Sequence, residues 1–251
     1  MKSLQGKVAI VTGGARGIGA AIAEELAKRG VAKIAITYLS NTSAAEGVVS
    51  KLQALGATAI AIKADVGDLA SAPTVIENAL DALGTKELDI LVNNAASTLL
   101  RPLDDIKIDD FHAVFNTNIG GPLFLIQAAL PRIRRGGRII NIGSRQSRHA
   151  TGSPMFLYAA SKAGQEHLTR NLAFQYAAPL GITVNTVMPG PTDTDELRAT
   201  GMAEALKNAA TAEKRLGTVD DIAQIVAFVA EDGARWINGH TLNATGGAIM
   251  F

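Results

Sequence analysis

The chain predicts an α/β protein built on a doubly wound parallel sheet of about seven strands, with helices on both faces. Three observations carry this. Short β-rich runs alternate with helix-patterned stretches almost to the C-terminus. The strand runs are nearly continuous in apolar residues, as parallel strands covered on both faces must be. A glycine-rich turn joins the first strand to the first helix. Strands are expected at Val8–Thr12, Ile34–Tyr38, Ala59–Ile62, Leu88–Val92, Arg138–Ile142, Thr183–Val187 and Thr241–Asn243. Helical stripes run through Ile18, Ile22 and Leu26, and through Val48, Leu52 and Leu55. A long helix is expected over Met155–Ala178. No linker or repeat interrupts the rhythm, so residues 1–251 read as one domain. Only residues 189–212, rich in Thr, Ala and Asp, break it, and a substrate lid is expected there.

Bulk properties narrow the function classes. With 251 residues, 47% hydrophobic and 19% charged, the chain suits a soluble globular protein with a large core. A net charge of +1 without a basic block offers nucleic acid no electrostatic footing. The absence of cysteine excludes disulfides and thiolate metal sites. Four scattered histidines lack ligand spacing, so no catalytic metal is expected. No uninterrupted apolar run reaches membrane-spanning length, and the N-terminus leads straight into a strand; the expected address is cytoplasmic.

The first strand runs into Thr12-Gly-Gly-Ala-Arg-Gly-Ile-Gly19. Gly13, Gly17 and Gly19 let the backbone turn tightly beneath a pyrophosphate, which the helix N-terminus then meets with unpaired N–H groups. An ordinary βα turn is the plainer reading; the strand-to-helix context counts against it. The second strand ends in Thr37-Tyr-Leu-Ser-Asn-Thr42, with no carboxylate before Glu46. A carboxylate there would select a ribose 2′-hydroxyl, whereas Tyr38, Ser40 and Asn41, with Arg16 from the glycine turn, suit a 2′-phosphate. NADP(H) is therefore expected over NAD(H). Asp65, followed by Val66, is placed either to accept from an adenine amino group or simply to hold a turn.

Tyr158 and Lys162 lie four residues apart on the long helix and so share a face. An ammonium beside a phenol favours phenolate, moving an ordinary pKa of about 10 toward the working range. Alone, such a pair is also what a solvated helix face looks like.

Taken together, Thr12-Gly-x-x-x-Gly-x-Gly19, Asn93-Asn-Ala-Ala96, Asn118, Ser144, Tyr158-x-x-x-Lys162 and Pro189-Gly190 resemble the short-chain dehydrogenase/reductase family, over essentially the whole chain. The resemblance implies a Rossmann-like fold and the catalytic set Asn118, Ser144, Tyr158 and Lys162. In it Tyr158 exchanges a proton with the substrate oxygen, Lys162 lowers the tyrosine pKa and meets the nicotinamide ribose, and Ser144 holds the substrate oxygen. Asn118 would hold a helix kink and a water chain to the lysine. Read locally, Ser144 is a loop serine and Asn118 a buried amide. Family position also implies cofactor contacts from Ile18, Asn93, Ala95, Pro189, Gly190, Thr192 and Thr194. Ala96 departs from the glycine usual there.

The resemblance implies an NADP-dependent oxidoreductase acting on a ketone or secondary alcohol, with reduction favoured. A cofactor-binding sensor or scaffold without turnover, and a non-redox epimerase or dehydratase, are the alternatives. The substrate pocket is expected from Ser97, Thr98, Arg145, Gln146, Arg148, His149, Met155 and the lid. The basic loop suggests an anionic or hydrogen-bond-rich ketone; solvated charge is the blander account. Relatives form symmetric tetramers, so a homotetramer or homodimer is expected. Trp236 and the tail Ala248–Phe251 fit such an interface, and an intrachain core role for Trp236 fits equally.

Overall fold

The computed structural model describes residues 2–150, 152 and 154–250. Its strands are β1 (Val8–Val11), β2 (Lys33–Tyr38), β3 (Thr58–Lys63), β4 (Leu88–Asn93), β5 (Ile133–Ile142), β6 (Thr183–Pro189) and β7 (Thr241–Ala244). The helices are α1 (Gly17–Lys28), α2 (Thr42–Ala54), α3 (Ala72–Ala82), α4 (Ile108–Phe115), α5 (Gly121–Ala129), α6 (Phe156–Leu180), α7 (Asp195–Ala199), α8 (Ala203–Leu206) and α9 (Val219–Ala230). All seven strands form one parallel sheet in the order β3-β2-β1-β4-β5-β6-β7. The chain winds outward from β1 to β3, then returns to place β4 on the other side of β1. That reversal opens a crevice at the carboxyl ends of β1 and β4, where such sheets bind ligands.

Apolar runs explain the layers. β1, β4 and β6 are buried along their whole length. On one face Ile22 and Leu26 of α1, Leu52 of α2 and Val226 of α9 pack against the sheet. On the other, Ile76 and Leu80 of α3, Leu125 and Ile126 of α5 and Leu172 of α6 do so. Each fully buried Leu or Ile contributes roughly 1.5–3 kcal/mol of transfer free energy.

The expected strands are present, most of them longer by one or two residues and one by five. β5 begins at Ile133 rather than Arg138, because Ile133 pairs with Leu88 before the register shifts toward Ile90. Two arginines and two glycines hide that start; Arg134 reaches Glu87 at 2.7 Å and Asp89 at 3.1 Å instead of facing a core. α6 ends on Gly181 at φ +64°, the left-handed cap glycine adopts without strain. Between α4 and α5 a π-turn, Asn116–Gly120, bends the helix. The joined stretch Ile108–Arg132 is long and apolar enough to span a membrane by length and composition. Here it packs instead against α3 and α6. The segment read as a lid carries the short helices α7 and α8.

Candidate active site

The crevice widens into a cleft of about 900 Å³ running from the glycine turn to α7 and α8. At one end the turn after β1 is laced to the turn after β4. Thr12 Oγ1 accepts from the Asn94 and Ala95 amides at 3.0 Å each, and Asn94 Nδ2 donates to the Thr12 and Gly13 carbonyls. The Gly13 amide donates to Thr37 Oγ1 at 3.2 Å, tying in β2. Gly13 (φ +63°) and Gly17 (φ +55°) take left-handed conformations, and a Cβ on Gly19 would lie 2.3 Å from the Gly13 carbonyl oxygen. Arg16 precedes α1 with extended backbone. No side chain caps this helix, and no acid stands in its first turn. Its N-terminal amides, with Arg16 and Ile18 beside them, therefore suit an anion.

Along the same wall lie Tyr38, Ser40 and Asn41, and no carboxylate lines the cleft between residues 37 and 44. Asn41 Oδ1 caps α2 by accepting from the Ala44 amide, leaving its NH₂ free to donate. Asp65 and Val66 face the cleft across from them, and Asp65 Oδ1 accepts from the Gly67 amide, the turn role weighed above. Ala95 and Ala96 line the cleft, as do Pro189 at the end of β6 and Gly190, Thr192 and Thr194 beyond it. A Cβ on Gly190 would meet the Thr245 backbone at 2.9 Å. Thr194 Oγ1 accepts from the Leu197 amide as the cap of α7, so its hydroxyl proton stays available. Shape and donor set fit a dinucleotide phosphate.

Two expected residues do not themselves line the cleft. Asn93 is buried, its Nδ2 donating to Asn141 Oδ1 at 2.9 Å, so Asn94 is the asparagine of the cleft. The period-2 alternation of a strand decides this, turning adjacent asparagines to opposite sides. Asn118 stands behind the cleft wall in the π-turn. Its Oδ1 accepts from the Ser97 amide at 2.8 Å, and its Nδ2 donates to the Ser97 carbonyl and to Ser161 Oγ. From this interruption between α4 and α5, where a helix kink is expected, it braces the pocket loop against α6.

At the reactive end Ser144, Tyr158 and Lys162 share the cleft. Ser144 follows β5, and its Oγ accepts from the Gln146 amide, leaving the hydroxyl proton to donate. Lys162 is 1% exposed; its Nζ donates to the Ile142 carbonyl at 2.7 Å and to Gln165 Oε1 at 3.4 Å. The ammonium stands 5.9 Å from the centre of the Tyr158 ring. Burial lowers the Lys162 pKa to about 8, against an opposing pull from Glu196. The expected acidifying effect of the lysine meets opposing influences on the phenol. Burial pushes the Tyr158 pKa up, a hydrogen bond with Ser144 draws it down, and Glu196 raises it. The ammonium is anchored on the Ile142 backbone carbonyl and stands near the Tyr158 ring. Glu196, of α7, was invisible in the sequence because no spacing links it to residue 158. The Thr98 hydroxyl donates to its carboxylate.

Of the remaining pocket residues, Ser97, Thr98, Arg145, Gln146 and Met155 line the cleft. Arg148 and His149 do not; Arg148 pairs with buried Glu166 at 2.5 Å. Trp236 is 94% exposed, so the intrachain core role is excluded. Phe251 lies outside the described residues.

Comparison with known proteins agrees with this geometry. Residues 13–248 match the family described as enoyl-(acyl carrier protein) reductase. The chain is 42% identical to the short chain dehydrogenase asqE of Emericella nidulans, over 98% of this chain and 94% of that one. A short chain dehydrogenase from Burkholderia cenocepacia, solved in complex with NADP, superposes with a TM-score of 0.92 at 43% identity, covering 98% of this chain and 99% of that one. The angucycline C-6 ketoreductase LanV with bound NADP gives 0.91 at 33%, covering 98% and 96%. An all-parallel sheet reversing at the glycine turn, a serine, tyrosine and lysine meeting in its crevice, and near-full-length relatives together make this chain an oxidoreductase of the short-chain dehydrogenase/reductase family.

Proposed function

We propose that the protein is an NADP(H)-dependent reductase of ketones that also runs as a dehydrogenase of secondary alcohols. The observation that carries this reading is that Ser144, Tyr158 and Lys162 meet in one cleft. The Tyr158 hydroxyl shares that cleft with Ser144, and burial raises its pKa. A neutral phenol is the proton donor that carbonyl reduction requires, whereas alcohol oxidation needs phenolate. Bound NADPH would supply the hydride. Ser144 donates a hydrogen bond to the carbonyl oxygen, Tyr158 transfers its proton there as charge develops, and the nearby Lys162 cation stabilises the phenolate left behind. Arg16, Ser40 and Asn41, without a carboxylate among them, support the 2′-phosphate form of the cofactor, as do relatives solved with NADP. Exposed Phe174 of α6 and Trp236 before β7 support self-association of the chain, with a homotetramer or homodimer as the assembly.

Purified protein is to be mixed with NADPH and a panel of ketones while cofactor absorbance is followed. Consumption that Tyr158→Phe lowers about 10³-fold, with NADPH affinity retained, is expected. Tight cofactor binding without consumption across the panel would overturn the enzymatic reading.

A further inference from the structure

Three basic side chains follow Ser144, and the fold makes them unequal. Arg148 is held by Glu166, a buried carboxylate of α6 that also receives the Ser147 hydroxyl and, at 3.3 Å, that of Thr241. His149 is exposed, its Nδ1 lying 3.0 Å from the Arg145 carbonyl oxygen. Arg145 differs from both. It opens the 3-10 turn Arg145–Ser147 directly after the catalytic serine, lines the cleft and is half-buried. No carboxylate among the described residues pairs with it, and burial without a countercharge lowers its pKa. Glu196 lines the same cleft but forms no ion pair with Arg145; the Thr98 hydroxyl holds it.

Withdrawing a guanidinium from water without a partner is costly, and a ligand anion that completes it recovers that cost. The cleft also carries apolar side chains, among them Leu100, Met155, Leu197, Met202 and Leu206. We propose that Arg145 determines specificity by receiving a carboxylate on the carbonyl substrate, whose remaining body is apolar. Ser144 adjoins Arg145, so the anion lies within one arginine side chain of the carbonyl oxygen that Ser144 holds. A planar guanidinium receives a carboxylate through two parallel hydrogen bonds, which a neutral ester cannot match. This assignment rests on the reductase reading of the cleft, and it narrows to Arg145 a charge that the sequence spreads over three residues.

Phenylglyoxylate and its methyl ester test it, because they differ in charge at one end. With NADPH, wild-type kcat/KM is expected to favour the acid. Arg145→Met is expected to lower the acid's kcat/KM about tenfold or more while leaving the ester within about twofold, and Arg145→Lys to recover part of the loss. Equal losses on acid and ester, or no preference for the acid in the wild type, would overturn the assignment. Calorimetric titration of the NADP⁺-loaded protein with phenylglyoxylate reads the same contact without turnover. Weaker binding by Arg145→Met, with neither compound nor any ketone of the panel reduced by the wild type, would sink the reductase reading and keep the anion site. Unchanged affinity in that variant, or no binding by the wild type, would sink the anion site itself.

Discussion

The two ends of the cleft are built from different materials. At the glycine turn the groups facing a ligand are mostly backbone amides, held by hydrogen bonds among Thr12, Gly13, Thr37 and Asn94. At the reactive and substrate end they are side chains from β5, α6 and α7, held by packing and charge. Backbone donors sit wherever the turn places them and tolerate almost no added atom. Side-chain donors can be exchanged one at a time, so specificity can change without disturbing the fold.

Substitutions test that contrast, beginning with the largest effect. Gly19→Ala puts a methyl 2.3 Å from the Gly13 carbonyl, which backbone cannot yield without moving the turn. Loss of measurable NADPH binding by fluorescence titration is expected; near-normal affinity would show that the turn is not so rigid. Lys162→Met should abolish ketone reduction while stabilising the cofactor-free protein in urea at pH 7 by on the order of 1–2 kcal/mol. The lysine titrates near 8 in the fold against 10.5 in its ordinary state. Between those values the unfolded chain binds the extra proton, so wild-type stability rises with pH and the variant's advantage fades toward 10.5. An advantage independent of pH would contradict this.

Arg16→Ala should weaken NADPH binding about tenfold and leave NADH unchanged, the signature of a lost contact to a 2′-phosphate. Equal losses would place Arg16 on the pyrophosphate instead. The smallest effect is expected from Glu196→Gln. Removing that negative charge favours the Tyr158 phenolate, so the rising limb of the alcohol-oxidation pH profile should move to lower pH. An unmoved limb would show that α7 leaves the tyrosine alone.

Much of the cofactor end was legible in the residues. Gly13, Gly17 and Gly19 mark a turn because only glycine tolerates those angles and approaches, and apolar runs name strands covered on both faces. The missing carboxylate after β2 could be read because it depends on residue type alone. Position within the adjacent Asn93–Asn94 pair could not, since it depends on which way each side chain leaves the strand end.

The order of strands and helices, the tight turn after β1 and the helical spacing that sets Tyr158 beside Lys162 could all be read from the residues in order. These follow from local backbone sterics and period. Tertiary structure alone decided that Asn118 braces the pocket loop, that Lys162 is anchored on Ile142, and that Arg148 is neutralised by Glu166 while Arg145 is left facing the cleft. It also brought Glu196 from a distant helix to act on the tyrosine. Charge acts through space and burial depends on everything packed nearby, so neither can be summed along a chain.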